Sequence, residues 1–353
     1  MNLAHVHIVN NRARVHGREP GAECGPGFGG GGLPGSAGRP SDRPASAAAA
    51  TAPTIAIVPE LPDLAILADA FHAALSGRTV VAAEAPGPLT VRGTPSELAS
   101  LGGQRLERFY RRGKFLWLEF DRDRIAINAM LTGRLQLAPT PATKRPQKTL
   151  FVMRFGSRAE GNAGLPKDAA DWTRGADWIP VGDATPELRY RDPTQMGKVY
   201  LLPHGLDRTV PGAGADEIGP DADDPRLSLE VWRSRIRSHP GELKNLLRNQ
   251  AFVAGIGNAY SDEILHAARL QPFRKRGSLA PEEVDELYAA MRSTLTRAIA
   301  TLRERVPPAF EMEVRDFLAV HNRGGQDCPR CGKRITQTEA GGFVTSYCRH
   351  CQR

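Results

Sequence analysis

Hydrophobic positions first recur with a helical period over residues 61–76, where Leu64, Leu67, Ala68, Phe71 and Leu75 share one face and Gly77 follows as a stop. From residue 78 to 202 the period shortens. Runs rich in β-branched and aromatic residues at 79–83, 114–120, 124–128, 135–137, 150–155, 188–191 and 199–202 are separated by turn residues, which predicts an antiparallel sheet or sandwich. Residues 156–186, rich in Gly, Ala and Asp and carrying Trp172 and Trp178, read as a surface insertion, because so long a loop is uncommon inside a compact domain. After a polar linker at 211–226 the helical period returns. Ser228 caps a helix through Arg237, residues 243–249 give a second, and 258–268 follow a Gly-Ile-Gly turn. A long helix over 282–306 carries Val284, Leu287, Tyr288, Met291, Leu295, Ile299 and Leu302.

Residues 1–58 lack such a period. They hold ten Gly, six Pro and no Lys, too little apolar surface to offset chain entropy, and read as a disordered extension. The order along the chain is therefore an arm at 1–58, a β-domain with a leading helix at 59–205, a helical domain at 227–306 and a cysteine-rich ribbon at 319–353. This is an α+β organisation.

Composition narrows the picture modestly. The 353 residues carry 47 Lys+Arg against 39 Asp+Glu, a formal charge of +8, which permits an anionic partner without requiring one. No apolar run approaches the ~18 residues of a membrane span, and the N-terminus lacks the features of a secretory signal. Five cysteines in so long a chain exclude a small disulfide scaffold. A soluble cytoplasmic protein is expected.

Four of those cysteines form two knuckles, Cys328-Pro-Arg-Cys331 and Cys348-Arg-His-Cys351. Four thiolates at this spacing suit one tetrahedral Zn²⁺; a disulfide pair or a redox C-x-x-C accounts less well for the duplication. So short a piece has too small a core to fold unaided, and zinc supplies roughly 10–16 kcal/mol in comparable peptides. Arg330, Lys333, Arg334, Arg349 and Arg353 make the ribbon basic, as a phosphate-contacting surface or a solvated face. Upstream, Gly255-Ile-Gly-Asn258 opens a helix whose free N–H groups favour a phosphate, Asn258 can cap that helix or bind a phosphate oxygen, and Lys244 can add a charge.

The order of these motifs resembles the formamidopyrimidine-DNA glycosylase/endonuclease VIII family of base-excision repair enzymes. The matching residues are Pro59-Glu-Leu-Pro-Asp63, Arg111-Arg-Gly-Lys-Phe115, Asp192-Pro193 with Gly197, Gly255-Ile-Gly-Asn-Ala-Tyr-Ser-Asp-Glu263 and the four-cysteine ribbon ending in Cys351-Gln352. The resemblance runs from Pro59 to the C-terminus. It implies an N-terminal β-sandwich with a leading helix, a helix–two-turn–helix domain and a zinc ribbon in a monomer. It further implies a bacterial, nucleoid-associated enzyme binding double-stranded DNA that contains damaged bases or abasic sites.

The same resemblance makes Pro59 a nucleophile through its secondary amine, Glu60 its acid/base partner and Lys114 a phosphate-neutralising residue at a hairpin tip. Asn258, Lys244 and Tyr260 fall among the DNA-binding residues, and Leu131, Thr194 and Met196 at the positions that fill the gap left by a flipped base. An α-amine titrates near ~7.7–8, against ~10.4 for lysine, so it is partly unprotonated at neutral pH. Pro59 has no amine while it is joined to Val58. The abrupt change of composition at residue 58, with Arg outnumbering Lys throughout, fits a GC-rich gene whose translation starts at a GTG codon, the one written here as Val58.

Three positions depart from the family. Thr194 replaces an Arg that reaches the orphaned base, Phe343 occupies the place of a phosphate-binding Arg in the ribbon hairpin, and 307–326 is short for a loop capping oxidised guanine. The expected substrates are ring-opened purines or oxidised pyrimidines. A damaged-DNA-binding protein with impaired catalysis is the alternative, and a zinc-ribbon nucleic-acid module without lesion recognition a third reading.

Overall fold

The computed structural model describes residues 58–353 apart from 88, 140, 142–144, 159–176, 182, 215 and 341. The extension at 1–58, except Val58, and most of the expected insertion at 156–186, including Trp172, lie outside the described residues.

Helix α1 (Leu61–Leu75) is apolar on nearly every side, so it is buried all round rather than along one stripe. It packs chiefly on one strand of the sheet that follows and on the long C-terminal helix. Gly77 at φ 81° then turns the chain into β1 (Arg78–Glu84). Next come β2 (Val91–Arg92), the short helix α2 (Pro95–Ala99), β3 (Leu106–Arg112), β4 (Phe115–Phe120), β5 (Arg124–Asn128), β6 (Arg134–Ala138), β7 (Thr149–Arg158), β8 (Glu187–Arg191) and β9 (Lys198–Leu202). They form two sheets, ordered β1-β7-β8-β6 and β2-β9-β5-β4-β3, antiparallel except for the β2–β9 pair. Inward residues of both sheets, among them Leu118, Ile127, Phe151, Leu188 and Val199, share one core with Phe71 of α1. The β-sandwich with a leading helix is thus realised.

Two expectations about this domain change. Strand β3 escapes the hydrophobic pattern because only Leu106 and Phe109 of its Leu-Glu-Arg-Phe-Tyr-Arg-Arg run are buried. And 156–186 is not simply a surface insertion: β7 runs on to Arg158, Trp178 packs edge-on to Phe310 at 5.0 Å, and Ile179 is buried. The buried Arg78 guanidinium ties this segment down, donating to the carbonyls of Pro180 (2.7 Å) and Ala184 (2.8 Å).

The second core belongs to α3 (Leu229–Ser238), α4 (Leu243–Arg248), α5 (Asn258–Ala267) and α6 (Pro281–Arg305), with Trp232, Leu247, Ile256, Ile264, Leu287 and Met291 at its centre. The ribbon contributes the hairpin β10 (Thr336–Ala340) and β11 (Phe343–Tyr347), packed on α5. Its own core is Val320, Ile335, Cys328 and Cys348, too small to stand alone. Buried carboxylates on α5 hold it in place: Glu263 accepts the N–H groups of Ala319, Val320 and His321, and Asp262 accepts that of Ser346. Among the described residues no helix is long and apolar enough to cross a membrane.

Candidate active site and nucleic-acid cleft

The segment before α1 docks into the turn before α5. The Leu61 N–H donates to the Gly255 carbonyl at 2.9 Å. Gly255 sits at φ 97°, and a Cβ there would meet Leu61 at 2.8 Å, so only glycine serves. This contact drives the Glu60 side chain onto the N-terminus of α5. Its Oε2 accepts from the Gly257 N–H (2.7 Å) and the Tyr260 N–H (3.2 Å), and its Oε1 from the Ala259 N–H (2.8 Å). Glu60 is 1% exposed. A buried carboxylate is thereby satisfied by the helix donors and by the positive end of the helix dipole. The Glu60 N–H in turn donates to Asp63, which also accepts from Arg315, and Arg315 donates to the Tyr260 hydroxyl at 3.0 Å.

This arrangement corrects the expectation that the turn keeps its N–H groups free for a phosphate, since the protein's own carboxylate takes them. Asn258 is the first residue of α5 rather than its cap, and its Nδ2 donates to the Val344 carbonyl at 2.8 Å. Lys244 is not a surface charge. It is 3% exposed, and its Nζ donates to Asp262 (2.6 Å) and to the Val344 carbonyl (2.7 Å), which fastens α4 to α5 and the ribbon. Tyr260 is fully buried with its hydroxyl engaged by Arg315, so it supports the site from behind rather than meeting DNA.

Lys114 follows the tight β3–β4 turn, where Gly113 has φ 57°. Arg111 anchors that hairpin through Asp221 (2.9 Å) and Asp223 (2.6 Å), and Asp221 also accepts the Gly113 N–H at 2.7 Å. Lys114 then faces Glu60 across Gly257: a Cβ on Gly257 would lie 2.6 Å from Glu60 Oε1 and 2.7 Å from Lys114 Nζ. Burial lowers the Lys114 pKa, opposed by the charge of Glu60 and reinforced by Arg248.

A cleft of about 290 Å³ opens here, lined by Val58, Glu60, Lys114, Leu131, Arg248, Asn258, His321 and Phe343 among others. Pro59 is buried beside Glu60, against a smaller cavity that it shares with Asp63, Arg134 and Glu313. A larger open groove of about 640 Å³ lies between α6 and the ribbon, but it mixes Glu282, Glu283 and Glu286 with Arg269 and Arg330 and gathers no comparable set of groups.

Of the three gap-filling candidates, Leu131 reaches this cleft and Met196 projects from a neighbouring loop at 47% exposed. Thr194 fastens the two loops together. Its N–H and hydroxyl, the Thr132 hydroxyl and the Gly197 N–H all converge on the buried Asp192. Burial pushes the Asp192 carboxyl up, and these donors together hold it below the usual range.

Some groups were not singled out by sequence reasoning. His321 lines the cleft with its Nδ1 2.8 Å from Asp262 Oδ2. Asp262 and Glu263 end the Gly255-to-Glu263 motif, yet only the fold gives them partners. Arg111 is likewise visible in its motif, but Asp221, 110 residues away, is what makes it an anchor.

The four ribbon sulfurs all lie within 4.8 Å of one another, with Cys331–Cys348 at 3.6 Å and Cys328–Cys351 at 3.9 Å. Bonded sulfurs would be ~2.05 Å apart. A tetrahedron of Zn–S bonds of about 2.3 Å sets its sulfurs about 3.8 Å apart, so these residues can hold one metal ion. His266 places Nε2 3.4 Å from Cys328 Sγ, at the edge of the four-sulfur cluster.

A two-sheet sandwich joined to a helix–two-turn–helix unit and a cysteine ribbon, with a charged cleft at their meeting point, defines a nucleic-acid-processing architecture. Residues 58–199 match the formamidopyrimidine-DNA glycosylase N-terminal domain, and residues 218–306 the formamidopyrimidine-DNA glycosylase H2TH domain. A formamidopyrimidine-DNA glycosylase of Heliobacterium modesticaldum is 31% identical over 84% of this chain and all of its own length; one of Exiguobacterium sibiricum is 30% identical over 84% of this chain and 99% of its own. The fold matches that of Lactococcus lactis Fpg, solved in complex with an abasic site containing DNA, at a TM-score of 0.68 and 24% identity, covering 83% of this chain and 99% of that one. The chain belongs to the formamidopyrimidine-DNA glycosylase family.

Proposed function

We propose that the protein is a bifunctional DNA glycosylase/AP lyase that removes ring-opened or oxidised bases from duplex DNA and then cleaves the strand. The observation that carries this reading is the buried Glu60 carboxylate, clamped on the N-terminus of α5 directly after Pro59 and faced by Lys114 across Gly257. It supports a base, a nucleophile position and a cation held together at one point. The names of the relatives support ring-opened purines as the first substrates to try.

The nucleophile is the secondary amine of Pro59 in a chain that begins at that residue, and the family match starting at residue 58 supports such a start. The unprotonated amine attacks C1′ of the deoxyribose, and the C1′–N bond breaks with its electron pair leaving on the base, which takes up a proton. Glu60 acts as acid/base for the sugar. Opening of the sugar and loss of the amine proton leave an iminium, a Schiff base at C1′. Its electron demand acidifies the 2′ position; removal of a 2′ proton and departure of the 3′ phosphate then cut the strand. Lys114 offsets charge on the phosphate or leaving oxygen. Leu131 and Met196 occupy the space vacated by the base, and Asn258 lines the path of the backbone. Cys328, Cys331, Cys348 and Cys351 would hold one structural zinc, which would keep the ribbon folded against α5.

A chain produced to begin at Pro59 and the full 353-residue chain, incubated separately with duplexes carrying single ring-opened purines, oxidised pyrimidines or oxidised guanine, test the reading. Base release and strand scission by the Pro59-started chain, with ring-opened purine or oxidised pyrimidine favoured, are expected. Failure to release any of these bases refutes the reading, and a clear preference for oxidised guanine refutes the substrate assignment.

A further inference from the structure

Arg248 ends α4 and lines the same cleft as Glu60 and Lys114. Its guanidinium carbon lies 3.7 Å from the centroid of the Phe343 ring, at the start of β11 in the ribbon hairpin. Among the described residues the guanidinium has no carboxylate within ion-pair reach and no hydrogen-bond acceptor. It is nonetheless partly buried, and burial pushes its pKa below the ordinary value, against the opposing charges of Glu60 and Asp262. Two like charges therefore share the cleft, Arg248 and Lys114, each unfavourable to the other.

A cation desolvated in this way, stacked at a fixed place and repelled by a second cation, is an arrangement completed by an anion. Phe343 explains why the side chain stays there without a partner: the ring face attracts the guanidinium without using any of its N–H donors in a hydrogen bond. Phe343 itself is 47% exposed, so its ring is not serving a core.

We infer that Arg248, seated on Phe343, binds a backbone phosphate of the DNA strand being processed, with the cation supplied by the helical domain and its seat by the ribbon. This rests on the proposed DNA-processing function and adds a residue to it. The arrangement turns a ribbon position that carries no charge into a positioning element for a charge carried elsewhere. Arg248 binds, and Phe343 positions.

Equilibrium binding of a duplex with a reduced abasic analogue, measured across a salt series with the Pro59-started chain, tests the inference. One phosphate contact is worth about 0.9 in the slope of log K against log salt. Arg248→Ala is expected to reduce that slope by about one and to weaken binding by roughly tenfold at 0.15 M salt. Arg248→Lys keeps the slope. Phe343→Ala also keeps the slope but weakens binding about two- to fivefold, because the charge remains while its seat is lost. The exchange Arg248→Phe with Phe343→Arg restores the slope lost in Arg248→Ala. An Arg248→Ala protein with wild-type unfolding temperature and metal content, but unchanged slope and affinity, overturns the inference. If the unsubstituted chain fails to bind the duplex at all, the proposed function falls instead, so the two failures are distinct.

Discussion

Gly257→Ala is the sharpest perturbation of the site. The new Cβ would sit 2.5 Å from Glu60 Cδ, 2.6 Å from its Oε1 and 2.7 Å from Lys114 Nζ, all well inside contact distance. No other atom is among its three nearest neighbours, so the methyl displaces two charged side-chain ends rather than backbone. Lys114 is long enough to swing aside. Glu60 is not free to do so, because three N–H groups at 2.7, 2.8 and 3.2 Å hold its carboxylate and must be abandoned in part. Leaving one or two of these donors without their carboxylate costs about 1–3 kcal/mol, which lowers the unfolding midpoint without abolishing the fold. The chemical step should suffer far more. A misplaced acid/base forfeits a factor of about 10²–10⁴. Single-turnover base release and urea unfolding, run on the same Pro59-started preparation, separate the two effects. A Gly257→Ala protein that releases base at the unsubstituted rate would refute the assignment of Glu60.

The remaining predictions address the metal, the corrected residues and the loop anchor. Native mass spectrometry should find one zinc per chain, and Cys348→Ser or a strong chelator should remove it with loss of duplex binding; full binding without metal would contradict a structural role. Lys244→Met should destabilise the fold by about 3–5 kcal/mol, because the buried Asp262 carboxylate loses its ammonium partner and keeps only His321 and the Ser346 N–H, while the salt slope of DNA binding in the folded protein stays unchanged; a shallower slope would return Lys244 to the DNA surface. Asp192 has a lowered carboxyl pKa, so the stability it contributes is fully present above ~3.9 and is lost as pH falls through its lower folded-state value. Asp192→Asn should therefore flatten the acid limb of an unfolding-against-pH curve, and an unaltered limb would show that the carboxylate is not the anchor of the 132 and 194 loops.

What the sequence disclosed followed from how local each signal is. The four cysteines declare a ligand set within two short knuckles, and α1 and α6 repeat their apolar positions often enough to be read without a partner. Strand β3 does not, because five of its seven residues are not fully buried and its last two, Arg111 and Arg112, turn to Asp221 rather than to the core. Lys244 looks like any surface lysine until Asp262, 18 residues on, is seen to bury it. The glycines at 255 and 257 signal a close approach, but what approaches is Leu61 at the first and the Glu60 carboxylate, from 197 residues earlier, at the second. Phe343 stands out in the sequence as a missing charge and Arg248 not at all, and only the packing of the ribbon against the helical domain stacks them.

Reduction of the reaction intermediate with borohydride tests the central claim most directly. The Pro59-started chain, mixed with an abasic duplex and reduced, should yield a covalent protein–DNA adduct. Peptide mapping should place the deoxyribose remnant on the Pro59 nitrogen. The same treatment of a chain with Pro59 still joined to Val58 should yield none. An adduct mapped to Lys114, or trapping that is equally efficient when Pro59 is blocked, would contradict the account.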